Sequence, residues 1–217
     1  MTDQSIHQGQ PVASYGAALR DAQAAVILLH GRGSSAQSIL ALAAQLPQHR
    51  IAYLAPQAAN YTWWPNSGFI PLESNEPYVS SAFQAVADLL ARVAAAGIPA
   101  GRTLLGGFSQ GACLAAEFAA RNPRRYGGLF VLSGALLGPP DMPRHYAGTL
   151  DGTPVFIAGC ERDPWVTEQQ LRLTGRVLQE LGGSVQVAIQ PGSEHTIRPT
   201  EVTALRDMIA RSVGILA

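Results

Sequence analysis

Short apolar runs alternate along the chain with longer segments whose apolar residues recur at helical spacing. The runs have strand length, and the continuous apolar run over residues 25–29 is typical of a strand buried on both faces. They cover residues 25–29, 51–55, 102–106, 128–132, 154–158 and 185–189. The intervening segments predict helices over residues 37–46, 77–96, 110–121, 167–181 and 199–213. A first strand over residues 12–19 is also predicted, with antiparallel pairing as an option.

This alternation predicts an α/β fold with a mostly parallel central sheet and helices on both faces. A length of 217 residues fits a single domain over residues 1–217 with a substantial buried core. In such sheets the functional loops follow the carboxyl ends of the strands. The residues after each apolar run are therefore the candidates for chemistry.

The run ending at Gly106 leads into a Gly-x-Ser-x-Gly pentapeptide centred on Ser109, and a helical segment follows it. This is the pattern of a nucleophile elbow, in which a strained strand-to-helix turn lifts the serine hydroxyl clear of the sheet. We expect side chains at Gly107 or Gly111 to collide with the neighbouring turn. The pattern predicts a nucleophilic Ser109, and an ordinary surface serine is the alternative.

A serine hydroxyl needs a base within hydrogen-bond reach and an acid that orients the base. Enzymes built on such an elbow carry the nucleophile, the acid and the histidine in that chain order. Only His145 and His195 follow Ser109. His195 lies in the loop after the last predicted strand, whereas His145 precedes the strand that should deliver the acid. We therefore predict His195 as the base.

The acid should lie between Ser109 and His195, shortly after a strand. Asp163 follows the strand over residues 154–158, in a loop that Pro164 stiffens. Glu161 is the competitor, and Asp163 is favoured for its position and its shorter side chain. Two further carboxylates, Asp141 and Asp151, precede that strand and are expected at the surface.

An oxyanion hole needs backbone N–H groups near the nucleophile. The predicted donors are the N–H of Gln110, directly after Ser109, and the N–H of Arg32 in the Gly-rich loop 30–33. We expect the Arg32 guanidinium to face solvent, and attraction of an anionic substrate is the alternative. His30 is expected to be structural.

A long irregular segment, residues 57–76, follows one of the predicted parallel strands and is rich in aromatic residues. Loops of this length usually carry function. We predict that large side chains in this segment and after Asp163 bind the substrate; a hydrophobic cluster that seals the sheet edge is the alternative. The predicted substrate-binding residues are Trp63, Trp64, Phe69, Ile70, Leu72 and Trp165.

Charged residues make up 14% of the chain, and fifteen basic residues balance fifteen acidic ones. This composition gives no basic face for nucleic acid and no charge pattern for a membrane surface. The first ten residues lack the pattern of a secretory signal, and no apolar run reaches the length of a membrane span. These observations predict a cytoplasmic protein without a membrane span. The low charge is compatible with a homodimer.

The two cysteines, Cys113 and Cys160, predict buried free thiols, because two cysteines make no disulfide framework. No C-x-x-C or H-x-x-x-H spacing occurs, so no metal site is predicted. Acyl transfer by serine, histidine and aspartate needs no organic cofactor. The expected partner is a small ester or thioester.

Four segments resemble the phospholipase/carboxylesterase family of α/β-hydrolases, which includes acyl-protein thioesterases. They are residues 28–33, 106–112, 163–166 and 194–197. The resemblance spans the chain from about residue 24 to the last helix. It implies a compact hydrolase of carboxylic esters or thioesters, with Ser109, Asp163 and His195 as its triad. It also implies an oxyanion hole from the N–H groups of Arg32 and Gln110.

Two features depart from the thioesterase-like members of that family. Gly33-Ser34 stands where they often carry Gly-Asp, and the aromatic segment is more similar to bacterial carboxylesterase-like members. We therefore predict a carboxylic ester hydrolase acting on small or medium esters. An acyl thioesterase, a non-hydrolytic ligand receptor on the same fold, and a partner-binding domain are the alternatives.

Overall fold

The computed structural model describes residues 5–213, which form a seven-stranded sheet flanked by helices. The strands are β1 (Val12–Gly16), β2 (Ala24–Leu29), β3 (Ile51–Pro56), β4 (Thr103–Phe108), β5 (Gly128–Leu132), β6 (Pro154–Cys160) and β7 (Ser184–Gln190). The helices are α1 (Ala36–Leu40), α2 (Tyr78–Ala95), α3 (Gln110–Arg121), α4 (Glu168–Glu180) and α5 (Pro199–Ser212).

The strand order is β1-β3-β2-β4-β5-β6-β7, and every neighbouring pair is parallel except β1 with β3. This confirms the predicted mostly parallel sheet. The antiparallel first strand spans Val12–Gly16 rather than residues 12–19, and a 3₁₀ turn at Leu19–Asp21 follows it. The strands β2 to β5 are almost wholly buried, as their unbroken apolar runs predict.

Helices cover both faces of the sheet, and alternate residues of each strand face opposite sides. In β2, Ala25, Ile27 and Leu29 belong to the core cluster that includes residues of α2, α3 and α4. Val26 and Leu28 of the same strand belong to the cluster on the opposite face, which includes residues of α1 and α5. The helix α3 is buried along nearly its whole length, which explains its alanine-rich sequence.

The predicted helix over residues 37–46 divides into α1 and a 3₁₀ segment, Ala41–Gln45. Its cap is Ser35, whose hydroxyl accepts a 3.1 Å hydrogen bond from the N–H of Ser38. Pro47 follows Leu46, and a residue before proline is disfavoured in the α region, so the segment tightens and ends there.

The carboxyl ends of β2, β4, β6 and β7 lie on one edge of the sheet, because these strands are parallel. Each is followed by a loop that carries predicted site residues. Across residues 5–213, the helices lack the combined length and apolarity that crossing a bilayer requires.

Candidate active site

Ser109 occupies the turn between β4 and α3 with φ 55° and ψ −122°, a backbone conformation that side chains rarely adopt. The flanking glycines allow this turn to lie against β2. A Cβ at Gly111 would lie 2.2 Å from the carbonyl oxygen of Leu29, and one at Gly107 would lie 2.3 Å from the same atom. The collision expected with the turn itself is thus mainly a collision with the neighbouring strand.

The structure brings Ser109, His195 and Asp163 together in one chain of hydrogen bonds. The Ser109 Oγ lies 2.8 Å from Nε2 of His195, and Nδ1 of His195 lies 2.7 Å from Oδ2 of Asp163. With Nδ1 protonated and donating to the carboxylate, Nε2 is free to accept the serine proton. The three side chains come from the loops after β4, β6 and β7.

The Asp163 carboxylate is fixed by its own loop. Its Oδ1 accepts hydrogen bonds from the N–H groups of Trp165, at 2.8 Å, and Val166, at 3.1 Å, which leaves Oδ2 for the histidine. The side chain is 1% exposed. The competing carboxylate, Glu161, is exposed, and so are Asp141, Asp151 and the other histidine, His145.

Two residues that the sequence analysis did not single out for this purpose contact the His195 loop. The ring of Phe108 lies 4.8 Å from the imidazole of His195, between ring centroids. The buried thiol of Cys160 donates a 3.2 Å hydrogen bond to the carbonyl of Glu194. Phe108 directly precedes Ser109 and Cys160 ends β6. In the sequence, only these positions indicated that the two residues would contact the His195 loop.

Residues 30–33 pack directly against the elbow. A Cβ at Gly31 would lie 3.2 Å from the Cβ of Ser109. Arg32 and Gln110 both line the cavity that contains Ser109 and His195. Gln110 is the first residue of α3, where backbone N–H groups have no partner within the helix and favour negative charge.

His30 is fully buried beneath this loop. Its Nδ1 donates a 2.8 Å hydrogen bond to the carbonyl of Gly31, and its Nε2 accepts a 3.0 Å hydrogen bond from the N–H of Ala58. Burial lowers the pKa of His30. The neutral ring joins the loop after β2 to the segment after β3, which agrees with a structural role.

A cavity of about 540 Å³ opens beside Ser109. It is lined by Ser109 and His195, by Arg32, Gln110 and Cys113, and by residues of the aromatic segment and of the Asp163 loop. The latter are Trp64, Ser67, Gly68, Phe69, Trp165 and Val166.

The predicted substrate-binding residues divide between the cavity and the core. Trp64, Phe69 and Trp165 line the cavity, and Trp165 is 71% exposed. Trp63, Ile70 and Leu72 are not among the residues that line this cavity, and for Ile70 and Leu72 a role in substrate binding stays a prediction. Ile70 and Leu72 are half-buried, and Leu72 packs against the core.

Trp63 is fully buried. Its ring lies between two histidines, with centroid distances of 5.3 Å to His7 and 5.2 Å to His30, and its indole N–H donates to the carbonyl of His30 at 2.9 Å. Because the indole N–H needs a buried acceptor, the ring turns into the protein rather than towards substrate. Trp63 therefore fits the alternative of a cluster that seals the sheet edge.

Cys113 lies one helical turn after Ser109 and also lines the cavity. Its sulfur accepts a 3.3 Å hydrogen bond from the N–H of Ala135. Burial raises the pKa of the thiol to about 12. The group is therefore protonated at neutral pH and contributes a small apolar surface rather than a nucleophile.

A positive-φ serine between a parallel strand and a buried helix, in a sheet of this order, defines an α/β-hydrolase fold. The chain belongs to the phospholipase/carboxylesterase family, whose model matches residues 16–213. A phospholipase/carboxylesterase structure from Dyadobacter fermentans is 35% identical, covers 93% of this chain and 96% of that chain, and superimposes with a TM-score of 0.89.

Two acyl-protein thioesterases are also similar in sequence. Acyl-protein thioesterase 1 of Neurospora crassa is 28% identical over 139 residues, which are 60% of this chain and 54% of that protein. Acyl-protein thioesterase 1 of Saccharomyces cerevisiae is 29% identical over 121 residues, which are 54% of this chain and 53% of that protein. The match therefore spans about half the length of these relatives. The family description names phospholipases and carboxylesterases, and these two relatives are named as thioesterases.

Proposed function

We propose that this protein hydrolyses carboxylic esters of small or medium acyl groups by way of a covalent acyl-enzyme. The observation that carries the proposal is the hydrogen-bonded chain from Ser109 through His195 to Asp163 at the edge of a cavity. The phospholipase/carboxylesterase family supports the reaction class.

In the proposed mechanism, Ser109 Oγ attacks the ester carbonyl carbon and Nε2 of His195 accepts its proton. Asp163 keeps Nδ1 of the imidazole protonated and stabilises the imidazolium that forms. The tetrahedral intermediate collapses, and the alcohol leaves with the proton from His195. Water then attacks the acyl-enzyme with His195 again as the base, and the free acid leaves.

The oxyanion is proposed to bind the N–H groups of Arg32 and Gln110. Both residues line the cavity that contains Ser109, and the N-terminus of α3 adds its positive dipole end there. The apolar wall formed by Trp64 and Phe69 suits the acyl group or the alcohol. Trp165, at the exposed rim, suits whichever group extends to solvent.

A fluorophosphonate probe tests the nucleophile, because it labels a serine only when that serine is activated. We expect the wild type to be labelled and Ser109→Ala to be unlabelled. Ser133→Ala is the matched control, since Ser133 also follows a parallel strand with positive φ but is buried, whereas Ser109 is partly exposed. That variant should be labelled like the wild type. A wild type that resists the probe would contradict the enzymatic proposal and favour a ligand receptor.

Hydrolysis of acyl thioesters is the second candidate, and the two similar acyl-protein thioesterases favour it. The same nucleophile attacks either carbonyl, so the leaving group decides between the two activities. A chain-length series of p-nitrophenyl esters, measured beside acyl thioesters of the same acyl groups, separates them. Higher kcat/KM for the thioester at every matched acyl length would favour the thioesterase.

A further inference from the structure

Part of the cavity wall is an irregular backbone, residues 62–68, here called the wall segment. It contributes Trp64, Ser67 and Gly68 to the cavity and continues into Phe69. The segment contains no helix or strand, so no ladder of regular backbone hydrogen bonds fixes its shape. Its geometry depends on the groups that its backbone binds.

The side-chain amide of Gln110 binds the first part of the wall segment. Its Oε1 accepts a hydrogen bond from the N–H of Trp63 at 2.9 Å and lies 3.2 Å from the hydroxyl of Thr62, which is 2.8 Å from the carbonyl of Trp64. Its Nε2 donates to the carbonyl of Trp64 at 2.8 Å. The residue is 6% exposed, so these hydrogen bonds compete little with water.

The guanidinium of Arg32 binds the next part. One terminal nitrogen donates to the carbonyl of Pro65 at 2.7 Å, and the other donates to the carbonyl of Asn66. Within residues 5–213, no carboxylate forms an ion pair with Arg32. Arg32 is exposed, as the sequence favoured, and its positive charge also binds the wall segment.

The far end of the wall segment is held by groups remote from Ser109. The side chain of Asn75 accepts a 3.0 Å hydrogen bond from the N–H of Asn66 and donates one of 2.8 Å to the carbonyl of Ser67. The N–H of Gly138 donates to the carbonyl of Gly68 at 2.8 Å. Arg32 and Gln110 thus connect a well-anchored segment to the nucleophile turn.

We propose that Arg32 and Gln110 are positioning residues that couple the acyl-binding wall to the oxyanion hole. This inference rests on the proposed function, because it assigns the backbone N–H groups of the same two residues to the oxyanion. Each residue then presents its N–H to the reacting oxygen and its side chain to the wall. An acyl group that fits the wall keeps both N–H donors aligned with the oxyanion, whereas one that displaces the wall moves them. The fit of the acyl group therefore changes the rate of acyl transfer.

Substitution of Arg32 tests the coupling, because its backbone N–H remains in every variant. We expect Arg32→Met to lower kcat/KM for p-nitrophenyl hexanoate about tenfold more than for p-nitrophenyl acetate, with most of the difference in kcat. Arg32→Lys should show a smaller difference between the two esters, because its ammonium can reach one carbonyl. Arg20→Met is the matched control, since Arg20 is exposed and pairs only with its neighbour Asp21 among the described residues. It should keep the wild-type acyl profile.

A double-mutant cycle with Phe69→Ala tests whether Arg32 affects the acyl profile through the cavity wall. If Arg32 acts through the wall, Arg32→Met should change the acyl profile much less once the Phe69 ring is absent. An equal effect of Arg32→Met in both backgrounds would overturn the proposal.

Other results would also overturn it. A uniform loss across all esters with a lowered unfolding midpoint would make Arg32 a general structural residue. If Arg32→Met lost activity only on p-nitrophenyl hemisuccinate, and Arg32→Lys kept activity on that ester, Arg32 would be a charge-recognition residue. A wild type inactive on every ester and thioester would overturn the proposed function as well, whereas an active wild type and an unchanged profile in Arg32→Met would overturn the coupling alone.

Discussion

Asp163 illustrates how the site is built at the scale of single residues. Its two carboxylate oxygens have separate partners, two backbone N–H groups on one oxygen and the His195 ring on the other. The turn at Pro164 and Trp165 thereby sets the direction of the carboxylate before the histidine approaches. A side chain one methylene longer would not fit the same pair of N–H groups and the same imidazole.

Asp163→Asn should lower kcat by about 10⁴-fold, the size of the effect when the corresponding change is made in serine proteases. An amide can donate a hydrogen bond to Nδ1, which places the imidazole proton on Nε2 and removes the base. Steady-state kinetics on a p-nitrophenyl ester measure the effect. Glu161→Gln is the control and should remain near the wild-type rate. Near-normal turnover by Asp163→Asn would reassign the acid role to Glu161.

At the scale of elements, the contact between the nucleophile turn and β2 sets the position of α3. The start of this helix packs so closely on the strand that no Cβ fits at Gly111. The rest of the helix is also buried and is rich in alanine. Two opposing effects meet at this residue. Alanine is the better helix former by about 1 kcal/mol, whereas overpacking against backbone typically costs about 1–3 kcal/mol.

We expect the packing effect to dominate in Gly111→Ala, because a Leu29 carbonyl oxygen cannot rotate away as a flexible side chain can. The free energy of unfolding should fall by about 2 kcal/mol in urea titrations. Gly101→Ala is the matched control, since the nearest atom to its Cβ would be 3.9 Å away. A Gly111→Ala protein as stable as the Gly101→Ala protein would show that the strand and helix can separate at little cost.

At the scale of the whole molecule, two buried histidines connect segments that are distant in the chain. His7 donates from Nε2 to the carbonyl of Trp63 at 2.9 Å and accepts at Nδ1 from the N–H of Ala59 at 3.1 Å. His30 makes the equivalent pair of hydrogen bonds on the other side of Trp63. Each ring must be neutral, because one nitrogen faces an N–H donor.

These histidines should make the protein less stable in mild acid. Burial lowers the pKa of both His7 and His30 in the folded protein, so the unfolded chain binds their protons first. Their contribution is complete above the unfolded pKa of about 6.5 and is lost as the pH falls from there towards the folded pKa, by at most about 1.4 kcal/mol per pH unit for each.

Urea unfolding measured between pH 7.5 and about pH 5 tests this expectation. His7→Gln should reduce the slope of stability against pH, because one of the two groups no longer titrates. His49→Gln is the control, since His49 is exposed, and it should retain the wild-type slope. A slope that is unchanged in His7→Gln would contradict the assignment.

The sequence by itself determined the order and kind of the elements. Apolar runs of strand length indicate buried strands, and their alternation with helices indicates that most of their pairings are parallel. The bounds of α3 and β5 were predicted correctly. Ser109, Asp163 and His195 could be nominated because each follows a strand at the edge where parallel strands end. The single domain, the homodimer and the cytoplasmic location stay predictions.

The tertiary structure decided which side chains face the cavity. Trp63 and Trp64 are neighbours of the same type and both are buried, yet Trp63 contacts two histidines whereas Trp64 also lines the cavity. Arg32 was expected in solvent and is exposed, but its guanidinium also binds the carbonyls of residues 65 and 66, which are remote in sequence. In an irregular segment no repeat assigns side chains to a face, so their directions follow from hydrogen bonds that exist only once the chain has folded.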